Sequence, residues 1–131
     1  MATILSVDDS DAIRQMIVLI LSNAGYTVEE SSDGEQALTV AKSKQFDLIL
    51  TDFNMPKMNG LELIKALRSE PSYRYTPILM LTTEDEECMK KQGRSVGATG
   101  WLVKPFDAQK LVASVKRAIG APSIYQQVED Q

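Results

Sequence analysis

The sequence contains no histidine and only one cysteine among its 131 residues. Without histidine, the Ser-His-Asp and Cys-His arrangements of nucleophilic catalysis are excluded. An ordinary zinc site needs several cysteine or histidine ligands, so it is excluded as well. The single cysteine, Cys88, allows no disulfide within the chain, which is typical of a reducing compartment. What remains is chemistry based on carboxylates, amines and hydroxyls.

The chain also lacks a long apolar run and an excess of basic charge. Its longest apolar run, Met16–Leu21, is too short to cross a bilayer. Fourteen basic residues stand against eighteen acidic ones, and this net charge of −4 argues against nucleic-acid binding. The first ten residues have no basic segment and do not form a signal peptide, and the start Met1-Ala2-Thr3 favours a free-standing protein. We therefore expect a cytoplasmic monomer that binds neither nucleic acid nor membrane.

Short apolar runs alternate along the chain with stretches of helical period, which predicts an α/β fold. The runs around Leu48 and Leu79 are apolar without alternation, as expected for strands covered on both faces. Five strands that alternate with five helices imply a doubly wound parallel sheet in a three-layer sandwich. We expect one domain over residues 1–120 and a short tail over 121–131. The predicted strands are Thr3–Val7, Tyr26–Glu29, Asp47–Thr51, Pro77–Leu81 and Thr99–Val103.

Helix boundaries are marked by glycine and by capping side chains. Gly25 is predicted to end the first helix in a left-handed conformation. Asp33, Asn59 and Asp107 are predicted N-caps, the first two with a Gln or Glu three residues later. The segment Thr83–Glu86 is expected to open a fourth helix of marginal stability, since that helix is polar and contains an internal glycine.

Polar residues follow four of the predicted strands at the point where each strand ends. Taken singly, each is explained as a cap or turn residue. In a parallel sheet, however, the carboxyl ends of the strands meet at one edge, where such folds bind their ligands. We therefore expect these side chains to form one site. They are Asp8 and Asp9 after the first strand, Asp52 after the third, Thr82 after the fourth and Lys104 after the fifth.

This combination of side chains favours phosphoryl transfer. Clustered carboxylates repel one another, and Mg²⁺ suits a site with one or two direct carboxylate ligands. A carboxylate beside such an ion can attack phosphorus, which gives Asp52 the role of nucleophile. The ammonium group of Lys104 would neutralise charge on the transferring group, and the hydroxyl of Thr82 would donate to one of its oxygens.

Through these residues and their neighbours, the chain resembles the receiver domain of two-component response regulators over about residues 2–120. The resemblance implies a flavodoxin-like fold in which Asp52 takes a phosphoryl group from a phosphohistidine on a kinase or phosphotransfer protein. It also implies Mg²⁺, with Mn²⁺ able to substitute, bound by Asp9 directly, by Asp8 largely through water, by Asp52 and by the Asn54 backbone carbonyl. A cis bond is implied between Lys104 and Pro105. The motifs are Val7–Ser10, Thr51–Pro56 with Asn59-Gly60, Leu81–Glu84 and Trp101–Phe106.

Further implications of the resemblance concern signalling. Thr82 and Trp101 would form the switch, although the usual residue at the second position is Tyr or Phe. Asn54 and Glu84 would tune autodephosphorylation. A downstream target would bind the face of the fourth helix, fifth strand and fifth helix. With no effector domain, the chain is most similar to stand-alone chemotaxis regulators, whose target would be the flagellar motor switch. We expect no turnover of an external substrate.

Other interpretations share part of these features. The chain would need the same five residues if it acted in a phosphorelay or if its target were a diguanylate cyclase. A Mg²⁺-dependent phosphohydrolase with an aspartyl-phosphate intermediate needs an acid two residues after its nucleophile, where this chain has Asn54. A flavin-binding electron carrier needs a phosphate loop after the first strand, and Asp8 and Asp9 would repel phosphate. A protein-interaction scaffold would keep the fold without the chemistry.

Overall fold

A computed structural model describes residues 2–55, 57–83 and 87–120, with the backbone alone for residues 87–90. Strands and helices alternate through these residues as the periodicity predicts. A short 3₁₀ helix, Pro71–Tyr73, precedes the fourth strand. The elements are β1 Thr3–Val7, α1 Asp11–Asn23, β2 Thr27–Ser31, α2 Gly34–Ser43, β3 Leu48–Asp52, α3 Gly60–Arg68, β4 Ile78–Thr82, α4 Glu87–Val96, β5 Gly100–Val103 and α5 Ala108–Gly120.

The five strands form one parallel sheet in the order β2-β1-β3-β4-β5. This confirms the predicted α/β fold with a five-stranded parallel sheet. The chain leaves β1 toward β2 on one side and continues from β3 to β5 on the other, so the order reverses between β1 and β3. Ligand sites in such sheets lie at the carboxyl ends of the strands beside this reversal.

Buried apolar side chains form one layer on each face of the sheet. Along β3, for example, Ile49 lies in one layer and its neighbours Leu48 and Leu50 lie in the other. The first layer is completed by α2 and α3, and the second by α1 and α5. This explains why the sequences of β3 and β4 are apolar without alternation, since these two strands are buried on both faces.

The predicted helix caps are present. Gly25 follows α1 with a φ of +100°, and the Asp107 carboxylate accepts from the Lys110 N–H at 2.8 Å. Asn59 forms a full capping box with Glu62 at the start of α3. Asp33 caps α2 in the same way through the Gln36 N–H, but the Gln36 side chain accepts from the Ser32 N–H. The second half of that box is thus displaced by one residue.

Several boundaries differ from the prediction. β2 covers Thr27–Ser31 and not Tyr26–Glu29, because its polar end still pairs with β1. The helical period places Met16 on the buried face of α1, but this side chain is 40% exposed. It lies about 100° around the helix from Ile17, which is fully buried. The sequence did not predict the 3₁₀ helix, whose Tyr73 is buried and donates its hydroxyl to the Ala41 carbonyl at 2.7 Å.

Two predictions fall outside the described residues. They are the opening of the fourth helix at residues 84–86 and the tail at 121–131. Within residues 2–55, 57–83 and 87–120, no helix is long and apolar enough to cross a membrane.

Replacing Gly60 by Ala should destabilise the fold. A Cβ at this position would collide with the backbone carbonyl oxygen of Asp52 and lie 3.1 Å from the Phe53 Cα. We expect the free energy of unfolding to fall by about 1–3 kcal/mol, the usual cost of overpacking. Gly120→Ala is the matched control, because a Cβ added there would have nothing within 4 Å. Urea denaturation of both variants measures the difference, and equal stabilities would contradict the close packing at Gly60.

Candidate functional site

The fold brings the predicted carboxylates together at the carboxyl edge of the sheet. Asp8 follows β1 directly, and Asp52 is the last residue of the neighbouring β3. One carboxylate oxygen from each of Asp8, Asp9 and Asp52 lies within 4.8 Å of the others. Asp8 is fully buried and Asp52 is 8% exposed, whereas Asp9 is open to solvent. The cluster therefore has a buried floor and one accessible side.

Lys104 reaches this cluster from the end of β5. Its Nζ lies 2.9 Å from Oδ1 of Asp52 and 3.3 Å from Oδ2 of Asp8. The Lys104 backbone N–H donates to the Thr82 carbonyl at 2.7 Å, which joins the loop to the end of β4. A single ammonium group thus bridges two buried carboxylates that come from different strands. The expected association of Asp8, Asp9, Asp52 and Lys104 is present in the structure.

The charges in the cluster shift one another's proton affinities. Burial raises the pKa of Asp52, and the charge of Asp8 adds to the increase, although the hydrogen bond from Lys104 opposes it. For Lys104, burial lowers the pKa, but the hydrogen bonds and charges of Asp52 and Asp8 outweigh this effect and raise it overall. Lys104 therefore remains a cation and can neutralise negative charge at Asp52.

Backbone groups fix the orientation of the two buried carboxylates. The Ser10 N–H donates to Oδ1 of Asp8 and the Phe53 N–H donates to Oδ1 of Asp52, both at 2.9 Å. The Arg14 guanidinium donates to the Asp8 backbone carbonyl at 2.6 Å. Ser10 is also the N-cap of α1, so the turn that carries Asp8 and Asp9 is held by the helix that follows it.

The donor set fits a hard divalent cation. Three carboxylates offer oxygen atoms close to one another, and Lys104 compensates only part of their charge. Mg²⁺ is bound in proteins by one or two carboxylates together with water, and the exposed side at Asp9 leaves access for water. Asp8, Asp9 and Asp52 are thus suited to hold Mg²⁺.

The remaining predicted site residues are Thr82, Trp101, Asn54 and Glu84, of which the structure describes the first three. Thr82 ends β4 and is buried, and Trp101 lies on β5, partly buried against the layer that contains Met80. Asn54 follows β3 and is exposed, while Glu84 lies outside the described residues. The peptide bond between Lys104 and Pro105 is cis.

The loop that follows Asp52 contains a feature that the sequence did not predict. Lys57 has a φ of +69°, a conformation that residues other than glycine rarely adopt. Its Nζ lies 3.7 Å from Oδ2 of Asp33, and a Cβ at Gly34 would lie 2.6 Å from the carbonyl oxygen of Met58. The loop therefore packs closely against the start of α2. The sequence pattern at this place predicted only the helix start at Asp33 and not the packing of the loop.

Comparison with known proteins places these features in a family. The family model for the response regulator receiver domain matches residues 4–116. The chain is 36% identical to the chemotaxis protein CheY of Pseudomonas aeruginosa, over 87% of this chain and 93% of that protein. It is 41% identical to the phosphate regulon transcriptional regulatory protein PhoB of the same species, over 89% of this chain. In that case the chain spans only 51% of the relative's length.

Solved structures show the same fold. The chemotaxis response regulator CheY4 of Vibrio cholerae is 51% identical, with a TM-score of 0.87 over 89% of this chain and 98% of that one. The receiver domain of the sensor histidine kinase PA1611 from Pseudomonas aeruginosa is 29% identical. Its TM-score is 0.86, over 92% of this chain and 98% of that one. That structure has a magnesium ion coordinated in the active site cleft.

Asp52→Asn should stabilise the fold at neutral pH. Because the folded pKa of Asp52 is raised, the folded chain binds more protons than the unfolded chain just above the unfolded pKa. The wild type therefore loses stability as the pH rises through that range. An asparagine at this position is neutral at every pH, so the variant does not lose stability in this way. Urea denaturation at pH 7 and at acid pH should show a stabilised variant whose advantage shrinks on acidification.

The control for this experiment is Asp47→Asn, which removes one carboxylate from an exposed position outside the cluster. An Asp52→Asn variant less stable than the wild type at pH 7 would contradict the raised pKa of Asp52.

Lys57→Gly should also stabilise the chain. Glycine adopts a positive φ without the steric cost that an L side chain carries there, which is about 1 kcal/mol. The variant loses the exposed ion pair with Asp33, which contributes little. We expect a higher urea midpoint for Lys57→Gly, with Lys57→Ala unchanged or lower. Equal midpoints for the two variants would show that the loop is not strained at this residue.

Proposed function

Because the chain belongs to the response regulator receiver family, we propose that Asp52 accepts a phosphoryl group from a phosphohistidine of a partner protein. The observation that carries this proposal is the contact of Lys104 with Asp52 inside the carboxylate cluster. Asp8 and Asp52 are both buried and accept from the ammonium group, and the Asp52 contact is the shorter, at 2.9 Å against 3.3 Å. We assign Asp52 the role of nucleophile on this ground.

In the proposed reaction, an oxygen of the Asp52 carboxylate attacks phosphorus as the bond between phosphorus and the imidazole nitrogen breaks. The imidazole leaves with the electron pair of that bond. The Phe53 N–H and the Lys104 ammonium hold Asp52 Oδ1, each at 2.9 Å, which directs Oδ2 away from them and toward the incoming group. Lys104 then stabilises the charge on the transferring oxygens, and the Thr82 hydroxyl donates to one of them.

Mg²⁺ bound at this site would neutralise charge on the phosphoryl oxygens during transfer, and Mn²⁺ would serve in its place. Asp8, Asp9 and Asp52 would hold the ion together with the backbone carbonyl of Asn54. Asp8 has one oxygen occupied by the Ser10 N–H and the other near Lys104, which agrees with a role mainly through water. Asp9 is exposed and would bind the ion directly.

The signal would pass from Asp52 through Thr82 and Trp101 to the surface formed by α4, β5 and α5. Thr82 would move toward the phosphoryl group, and the indole would occupy the space that it leaves. Asn54 and Glu84, each two residues beyond a site residue, would set the rate at which the phosphoryl group is lost. As a receiver domain, the chain would act as a signalling module and catalyse only its own phosphorylation and dephosphorylation.

The proposed biological role is that of a cytoplasmic, single-domain chemotaxis regulator that acts on the flagellar motor switch as a monomer. The match over 93% of a CheY protein supports it. The match over half of PhoB supports a second candidate, in which the domain serves another target or a phosphorelay.

The test is intact mass after incubation with acetyl phosphate and Mg²⁺, followed by an acid quench. We expect one phosphoryl group on the wild type, none on Asp52→Asn and none after chelation of the metal. Asp47→Asn is the matched control and should be modified as the wild type is, because it alters an exposed carboxylate outside the cluster. No adduct on the wild type would refute the proposal, and an adduct that persists in Asp52→Asn would refute the assignment of the acceptor.

A further inference from the structure

Trp101 lies on the same face of the sheet as Thr82. The register pairs Met80 with Trp101 and Thr82 with Val103 on the adjacent strands β4 and β5. Residues two apart along a strand share a face, so Thr82 and Trp101 are diagonal neighbours. The indole also packs against the layer that contains Met80 and Ala98. Trp101 therefore stands between the candidate site and α4.

Arg94 contacts this indole from the last turn of α4. Its guanidinium carbon lies 5.7 Å from the centroid of the Trp101 ring, within the range of a cation–π interaction. Tryptophan is the strongest aromatic partner for such a contact, and the planar guanidinium stacks on it better than an ammonium group does. The contact joins α4 to β5 across the face that the proposed function assigns to the signal.

The end of α4 that carries Arg94 is held by β4 before Arg94 and by α3 after it. A Cβ at Gly93 would lie 3.0 Å from the Met80 Cε, so the helix packs directly against β4 at this point. The Gly97 carbonyl accepts from Nε of Arg68 at 2.9 Å, which ties the turn after α4 to α3. Arg94 lies between these two contacts. If its contact with Trp101 is lost, we expect the indole to move rather than the helix end.

We propose that Arg94 is a positioning residue that holds Trp101 in the arrangement of the unmodified chain, so that phosphorylation of Asp52 must displace the indole from the guanidinium. The inference rests on the proposed function. An interaction that is present in one state and absent in the other shifts the equilibrium between them by its own free energy. Arg94 thus opposes the phosphorylated state, and its removal favours that state.

The experiment compares Arg94→Met, Arg94→Lys and Lys91→Met with the wild type. Met removes the charge and keeps the length of the side chain, Lys keeps the charge, and Lys91→Met removes one exposed charge from the same helix. The first readout is acrylamide quenching of Trp101, the only tryptophan of the sequence, in the unmodified chain. The second is the acetyl phosphate concentration that half-saturates phosphorylation of Asp52 in Mg²⁺, by intact mass.

For Arg94→Met we expect stronger quenching of Trp101 and a half-saturating concentration lower by about two- to fivefold, the factor that an exposed cation–π contact supplies. Arg94→Lys should lie between this variant and the wild type, and Lys91→Met should match the wild type in both readouts. The emission of Trp101 in the wild type should change on phosphorylation.

Two results would overturn the inference. The first is a wild type that is phosphorylated while Arg94→Met equals it in both readouts, and this leaves the proposed function intact. The second is an equal shift in Lys91→Met, which would assign the effect to net charge. A wild type that takes up no phosphoryl group would refute the proposed function and the inference with it.

Discussion

The compensation of clustered carboxylates by one ammonium group is the interaction on which the site depends. Asp8 and Asp52 are both nearly inaccessible to water, and two such charges would be costly without a partner. Lys104 supplies this partner from the end of β5, on the opposite side of β4 from the strand that ends in Asp52. The same contacts link the carboxyl ends of β1, β3 and β5. Structural stability and the proposed phosphoryl chemistry therefore both depend on the Lys104 ammonium group, and Mg²⁺ would neutralise the negative charge that remains.

Much of the fold and of the carboxylate cluster could be predicted from local patterns. Apolar strands without alternation indicate coverage on both faces, and five of them with intervening helices leave few topologies. The rule that parallel strands end at one edge then brings Asp8, Asp52 and Lys104 together without knowledge of any distance. Helix caps such as Asn59 are equally predictable, because a cap depends only on residues a few positions away.

Tertiary contacts that follow from neither a local pattern nor the rule for parallel strands could not be predicted. Lys57 looks like an ordinary loop lysine, and its left-handed backbone follows only from the packing of the loop against α2. Arg68 looks like an exposed residue of a last helical turn. In the structure its guanidinium donates to the carbonyls of Tyr73 and Thr76 at 2.6 and 2.7 Å, as well as to Gly97. These partners follow it by five to 29 positions, and no local pattern connects them.

The residues of the site are widely separated along the chain, which couples the chemistry to the completion of folding. Asp8 and Lys104 are 96 positions apart, and Asp52 lies between them on the strand next to β1. A nascent chain that has formed β1 to β3 has the Asp52 carboxylate but lacks the Lys104 cation. Only a chain that has added β5 to the sheet holds the complete set. The proposed phosphoryl transfer would therefore be confined to molecules that have completed the sheet.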